Sequence, residues 1–67
     1  MSKDFNKNLM KALDSTRESL TICKQAMEDS NDASCRAMYK AMIRDCEKHI
    51  EMLTGEIELH KVQKKWD

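Results

Sequence analysis

The chain has 67 residues with 12 basic and 12 acidic side chains, no proline and a single glycine. This length allows one domain, and such a small domain usually needs a disulfide, a metal or a partner subunit for stability. The zero formal charge argues against a nucleic-acid partner, whose affinity comes largely from neutralised phosphates. The near absence of Pro and Gly predicts an all-α fold.

Apolar residues recur at every third or fourth position in the first part of the chain, which predicts a helix over about residues 4–28. The recurring residues are Phe5, Leu9, Leu13, Thr16, Leu20, Cys23 and Met27. They occupy a stripe only about 80° wide, as in the seam of a helical bundle or coiled coil.

A short polar connection follows over residues 29–32. One of Ser30, Asn31 or Asp32 should cap the next helix, because these side chains accept hydrogen bonds from free backbone N–H groups. A connection this short between two long helices forces them antiparallel, so we expect a helical hairpin.

The second helix is predicted over about residues 33–65, with a kink at Gly55 left open. Its apolar stripe consists of Cys35, Tyr39, Met42, Cys46, His49, Ile50, Leu53 and Ile57. Beyond Gly55, the residues Leu59, Val62 and Trp66 point away from this stripe if the helix runs straight. Either Gly55 re-aims the tail, or these three residues dock another protein, or the helix end is frayed.

Two narrow stripes that face each other leave both sides of the seam exposed to solvent. Two hairpins packed together enclose all four stripes in a four-helix bundle. We therefore predict a homodimer, with a different protein partner as the alternative. The predicted interface residues are Leu9, Leu13, Leu20, Cys23, Met27, Tyr39, Met42, Cys46, Ile50, Leu53 and Ile57.

Cys46 and His49 project from one helix face at a spacing of three residues. A twofold axis at mid-bundle could bring two such pairs together as a tetrahedral zinc site, and copper is the other soft-metal candidate. The favoured interpretation is metal-free, with cysteine packed as a small apolar residue. Cys23 and Cys35 should lie at different heights, so we expect two buried free thiols there.

A basic ridge on the second helix consists of Arg36, Lys40, Arg44 and Lys48. We interpret it as a source of exposed cross-helix ion pairs, with Arg44 level with Glu18 and Lys48 level with Asp14.

No arrangement of nucleophile, base and charge stabiliser is recognisable, so we expect a non-enzymatic protein without a cofactor. The odd number of cysteines fits a reducing cytosol. Residues 1–11 are too polar for a signal peptide, and no apolar run approaches the roughly 20 residues of a membrane span. The expected location is the cytoplasm, without a membrane or nucleic-acid partner.

Two segments carry a family resemblance, Tyr39-Lys40-Ala41-Met42-Ile43 and His49-Ile50-Glu51-Met52-Leu53. The further residues that carry it are Leu9, Leu13, Ser19, Leu20, Gly55, Ile57 and Trp66. The pattern resembles short two-helix "domain of unknown function" proteins of spore-forming bacteria, which usually have proline in place of Gly55. The resemblance implies a bacterial, non-enzymatic protein associated with sporulation.

The segment from Cys46 to Leu53 is also similar to the metal-binding helix of ferritin-like proteins, which carries Glu-x-x-His. Cys46 stands where the ligand glutamate of that family would be. This resemblance implies a half-bundle hairpin rather than a di-iron site.

Overall fold

The computed structural model describes residues 3–63, and these form two α-helices and no strand. Helix α1 comprises Lys3–Asp29 and helix α2 comprises Ala33–Val62. Phe5, near the start of α1, contacts His60, near the end of α2, so the two helices run antiparallel. The predicted all-α class is therefore confirmed. The hairpin is a flat slab with principal extents of 47 × 16 × 11 Å.

The short connection is held by hydrogen bonds to both helix ends. Asp32 is the N-cap of α2, as the sequence predicted for one of three residues, and its carboxylate accepts a hydrogen bond from the Cys35 backbone N–H at 2.8 Å. Arg36 donates to the carbonyl oxygens of Met27 and Ser30 at 3.1 and 3.0 Å. Because the last turn of α1 has no basic residue of its own, Arg36 supplies the cation that its C-terminal carbonyls favour.

The role of Arg36 revises the interpretation of the basic ridge. Within residues 3–63, Arg44 forms no ion pair with Glu18, and Lys48 forms none with Asp14. The reason is geometric, because residues spaced by four rotate by about 40° per step around a helix. A ridge that starts at the helix junction has turned toward solvent by the time it reaches Lys48.

The core is a seam between the two helices, with contact positions that alternate spacings of three and four. These buried or half-buried positions are Asn6, Leu9, Leu13, Thr16, Leu20, Cys23 and Met27 on α1, and Tyr39, Ile43, Cys46, Ile50, Leu53, Ile57 and His60 on α2. This is the 3.5-residue repeat of a coiled coil. Thr16 is tolerated there because its hydroxyl donates to the Ala12 carbonyl at 2.7 Å.

The seam differs from the predicted stripe of the second helix at several positions. Ile43 lies between the helices, whereas Met42, Cys35 and His49 are exposed. The predicted stripe combined two neighbouring rows of α2 into one. Both rows contain apolar residues, so apolar spacing alone could not distinguish the row that faces α1.

The far end of the seam is polar, so apolar spacing predicted the seam as far as Ile57 but not its end at His60. His60 is buried, stacks on the half-exposed Phe5 ring with 5.0 Å between ring centroids, and places its Nε2 3.5 Å from a Glu56 carboxylate oxygen. Helix α2 continues through Gly55, and Ile57 keeps the repeat in register. Within the described residues the helix ends at Val62, and the predicted end near residue 65 lies outside them, with residues 64–67.

Candidate interaction surface

The row of residues that immediately precede the seam positions forms what we call the methionine face. Its residues are Phe5, Asn8, Ala12, Ser15, Ser19, Ile22 and Ala26 on α1, and Met38, Met42, Asp45, His49, Met52, Glu56 and Leu59 on α2. All of them are exposed except Ala26, which is half-buried. Met42 and Met52 expose 42% and 61% of their surface.

The two halves of the methionine face lie on the same side of the hairpin. Viewed from one end of the hairpin, the residue numbers of two antiparallel helices advance around their axes in opposite senses. The residues one position before the seam therefore lie on the same side of the hairpin in both helices. A surface groove opens beside the α2 half of this face, and Thr16 of the α1 seam lines it together with residues of α2. The α2 lining residues are His49, Met52, Leu53 and Glu56.

The opposite side of the hairpin, the charged face, is formed by the residues that immediately follow the seam positions. They are Lys7, Met10, Asp14, Arg17, Thr21, Lys24 and Glu28 on α1, and Lys40, Arg44, Glu47, Glu51, Thr54, Glu58 and Lys61 on α2. Only Met10, Thr21 and Thr54 lack a charge there, whereas the methionine face carries two carboxylates, Asp45 and Glu56.

No helix within residues 3–63 combines the length and apolarity required to cross a membrane.

The hairpin alone encloses little. Its apolar core consists of Leu13, Cys23, Ile43 and Ile57, and no large side chain of the described part of the chain is fully buried. Most of the large apolar side chains that remain exposed lie on one side of the hairpin, the methionine face. Single exposed apolar residues are ordinary on a protein surface, but a concentration of them indicates a binding surface. The methionine face is therefore the region of the hairpin best suited to bind something.

The residues predicted for a metal site lie in different environments. Cys46 is half-buried in the seam, and His49 is exposed on the methionine face. Within residues 3–63 no three potential ligands are close enough to hold a metal ion. A zinc site at Cys46 and His49 would therefore need ligands from a second copy of the chain.

The three free cysteines are in three different settings. Cys35, predicted to be buried, is exposed in the first turn of α2 and lies outside the seam. Cys23 is buried on α1. Cys46 lies opposite Cys23, and the pKa of its thiol is raised chiefly by desolvation, then by Cys23 and Asp45.

The residues of the tail hypothesis are also separated. Leu59 belongs to the methionine face, whereas Val62 is 77% exposed and lies on neither face. Trp66 lies outside the described residues. These three residues therefore do not form one docking face within the part of the chain that the structure describes.

The chain matches no protein-family model, and comparisons with curated proteins and with solved structures find no match either. The resemblances to two-helix proteins of spore-forming bacteria and to ferritin-like hairpins therefore stay predictions.

The sequence prediction missed the α1 half of the methionine face. Ala12, Ser15, Ser19 and Ala26 are small or polar, so a search for apolar spacing does not select them. Arranging both predicted helices in rows of 3.5 residues would have shown one nearly uncharged row beside each seam.

Proposed function

We propose that this chain is a non-catalytic interaction protein that self-associates by burying its methionine face against a second copy, which yields a four-helix bundle. The observation that carries the proposal is the division of the hairpin into one face that is almost uncharged and one that is almost wholly charged. A bundle of two hairpins has this division, with uncharged inner faces and charged outer ones.

The dimensions of the methionine face fit a stable dimer. The slab measures 47 × 16 Å, which is about 750 Å² in projection. A standard protein interface buries roughly 800 Å² on each partner. One hairpin therefore offers enough area only if most of the face is used, as when two slabs stack along their full length.

The two helices also contribute complementary shapes, which favours a second copy over an unrelated partner. Thr16 and Met52 line one groove, so the long Met52 side chain lies level with Ser15. Cys23 of α1 is level with Cys46 of α2, so Met42 lies near Ala26. A twofold axis parallel to the helices would lay the methionines of each α2 against the small residues of the other α1. Such an interface is self-complementary, as twofold symmetry requires.

Native mass spectrometry under reducing conditions tests the proposal. We expect a species of twice the 7.8 kDa chain mass at micromolar concentration. Met52→Lys should shift the equilibrium to monomer, since an unpaired charge buried in an apolar interface is strongly unfavourable. Thr54→Lys is the matched control, because it adds the same charge to the charged face. A monomeric wild type, or equal dimerisation of the two variants, would contradict the proposal.

The same measurement, made without chelator, weighs the soft-metal alternative. A dimer that carries stoichiometric zinc or copper, lost in the double variant Cys46→Ala/His49→Ala, would show that the interface is a metal site. A monomer that binds a different protein through Leu59 or other residues of the methionine face would favour the adaptor hypothesis.

A further inference from the structure

Two of the three cysteines meet at the seam. Thr16 of α1 and Leu53 of α2 line one groove, and Cys23 and Cys46 each lie seven residues closer to the connection, so these two seam residues are level with each other. Cys23 also contributes to the raised pKa of the Cys46 thiol, as a near neighbour would. Cys23 is 7% exposed, Cys46 is half-buried, and both are free thiols. Cys35 lies closer to Cys23 in the chain than Cys46 does, but it is exposed near the turn.

The geometry of the seam is compatible with a covalent link at this place. Packed helices have axes roughly 8–10 Å apart, and the Cα atoms lie about 2.3 Å from each axis. Directly facing Cα atoms are therefore about 3.4–5.4 Å apart, a range that overlaps the roughly 4.4–6.8 Å that a disulfide spans. Both side chains occupy seam positions, so each lies on the side of its helix that faces the other helix.

We propose that Cys23 and Cys46 form a redox-active dithiol site, which closes to an intramolecular disulfide by exchange with a low-molecular-weight disulfide and locks α1 to α2. The first protein thiolate attacks one sulfur of the small disulfide, so a mixed disulfide forms and one small thiol leaves. The other protein thiolate then attacks the protein sulfur of that mixed disulfide and releases the second small thiol. Both protein thiols are oxidised, and the small disulfide is reduced to two thiols.

Accessibility decides the order of the two attacks. Cys46 is the more exposed of the pair and reacts with the small disulfide first, and the buried Cys23 then resolves the mixed disulfide. The Cys46 thiol is mainly protonated at neutral pH because burial raises its pKa, with Cys23 on α1 and Asp45 and Glu47 on α2 acting in the same direction. The exchange should therefore become faster as the pH rises.

The experiment uses the full chain with Cys35→Ser, which removes the exposed thiol but leaves the seam intact. After treatment with excess oxidised glutathione, we expect the mass of each chain to fall by about 2 Da, because two hydrogens are lost when a disulfide closes. Proteolytic mapping should then find one peptide pair that joins residues 23 and 46. The oxidised protein should also unfold at a higher temperature than the same protein after reduction, because the link restricts the unfolded chain.

Two single variants in the same background identify the residues. Cys23→Ser should stop the reaction at a stable glutathione adduct on Cys46, and Cys46→Ser should leave the buried thiol largely unreacted. A stable adduct or an interchain disulfide in the parent protein would overturn the proposal, as would an unchanged mass under conditions that oxidise a model dithiol. These readouts come from single chains, so their failure would leave the self-association proposal untouched.

Discussion

At the scale of single residues, Asp32 determines where α2 begins. Its carboxylate accepts the hydrogen bond from the Cys35 N–H, and this bond is the main reason that the pKa of Asp32 lies below 3.8. A carboxylate whose pKa is lowered on folding stabilises the fold above its unfolded pKa, and this contribution disappears as the pH falls through the folded pKa. Protonation of Asp32 therefore removes a stabilising contribution and makes the hairpin less stable in acid.

Two substitutions separate the cap from its charge. Asp32→Ala should lower the thermal unfolding temperature at neutral pH, since the Cys35 N–H loses its acceptor. Asp32→Asn should keep most of the cap and lose less stability than the wild type as the pH falls through and below the ordinary carboxylate range, because the amide does not titrate. Thermal unfolding followed by circular dichroism measures both effects. Equal acid sensitivity of Asp32→Asn and wild type would contradict this role.

Gly55 is a position at which a substitution can stabilise the fold. It lies inside α2 on the exposed side, and a Cβ atom added there would meet nothing within 4 Å. Because alanine has a higher helix propensity, Gly55→Ala should raise the free energy of unfolding by about 1 kcal/mol. Urea unfolding checks this value. A decrease in stability would show that α2 needs a flexible position here.

At the scale of the helices, stability comes from the seam rather than from helix propensity alone. Ile57 is 4% exposed and lies beyond Gly55, where the sequence analysis left the course of the helix open. Ile57→Ala should lower the free energy of unfolding by about 2–5 kcal/mol, through lost burial and a cavity. The control is Val62→Ala, at an exposed position near the end of the same helix, and it should change stability by less than about 0.5 kcal/mol. Equal effects of both variants in urea unfolding would mean that the seam ends before Ile57.

At the scale of the assembly, the proposed dimer can stack its two hairpins in two ways, with their turns at the same end or at opposite ends. The complementary rows of the methionine face favour the arrangement in which both turns lie at the same end. Cys35 is exposed beside the turn and can carry a spin label in a Cys23→Ser/Cys46→Ser background. The distance between the two labels should then be far shorter than the 47 Å length of the hairpin. A distance near that length would show that the hairpins stack with their turns at opposite ends.

The sequence was sufficient to predict two long helices, a short connection and an N-cap among three polar residues. These features depend on local chemistry, because propensity, breakers and caps act within one turn of helix. The same local signals predicted the α1 seam residues Leu9, Leu13 and Leu20 correctly, since that helix has one apolar row.

Tertiary packing selects which row of α2 faces α1, and it extends the seam to Asn6 and His60. It also places Cys46 rather than Cys35 level with Cys23. Each of these depends on the rotation of one helix against the other and on the register of their contact. Two adjacent rows of α2 each contain several apolar residues, so the choice between them depends on side-chain packing across the seam. Apolar spacing within one helix does not by itself select one of the two rows.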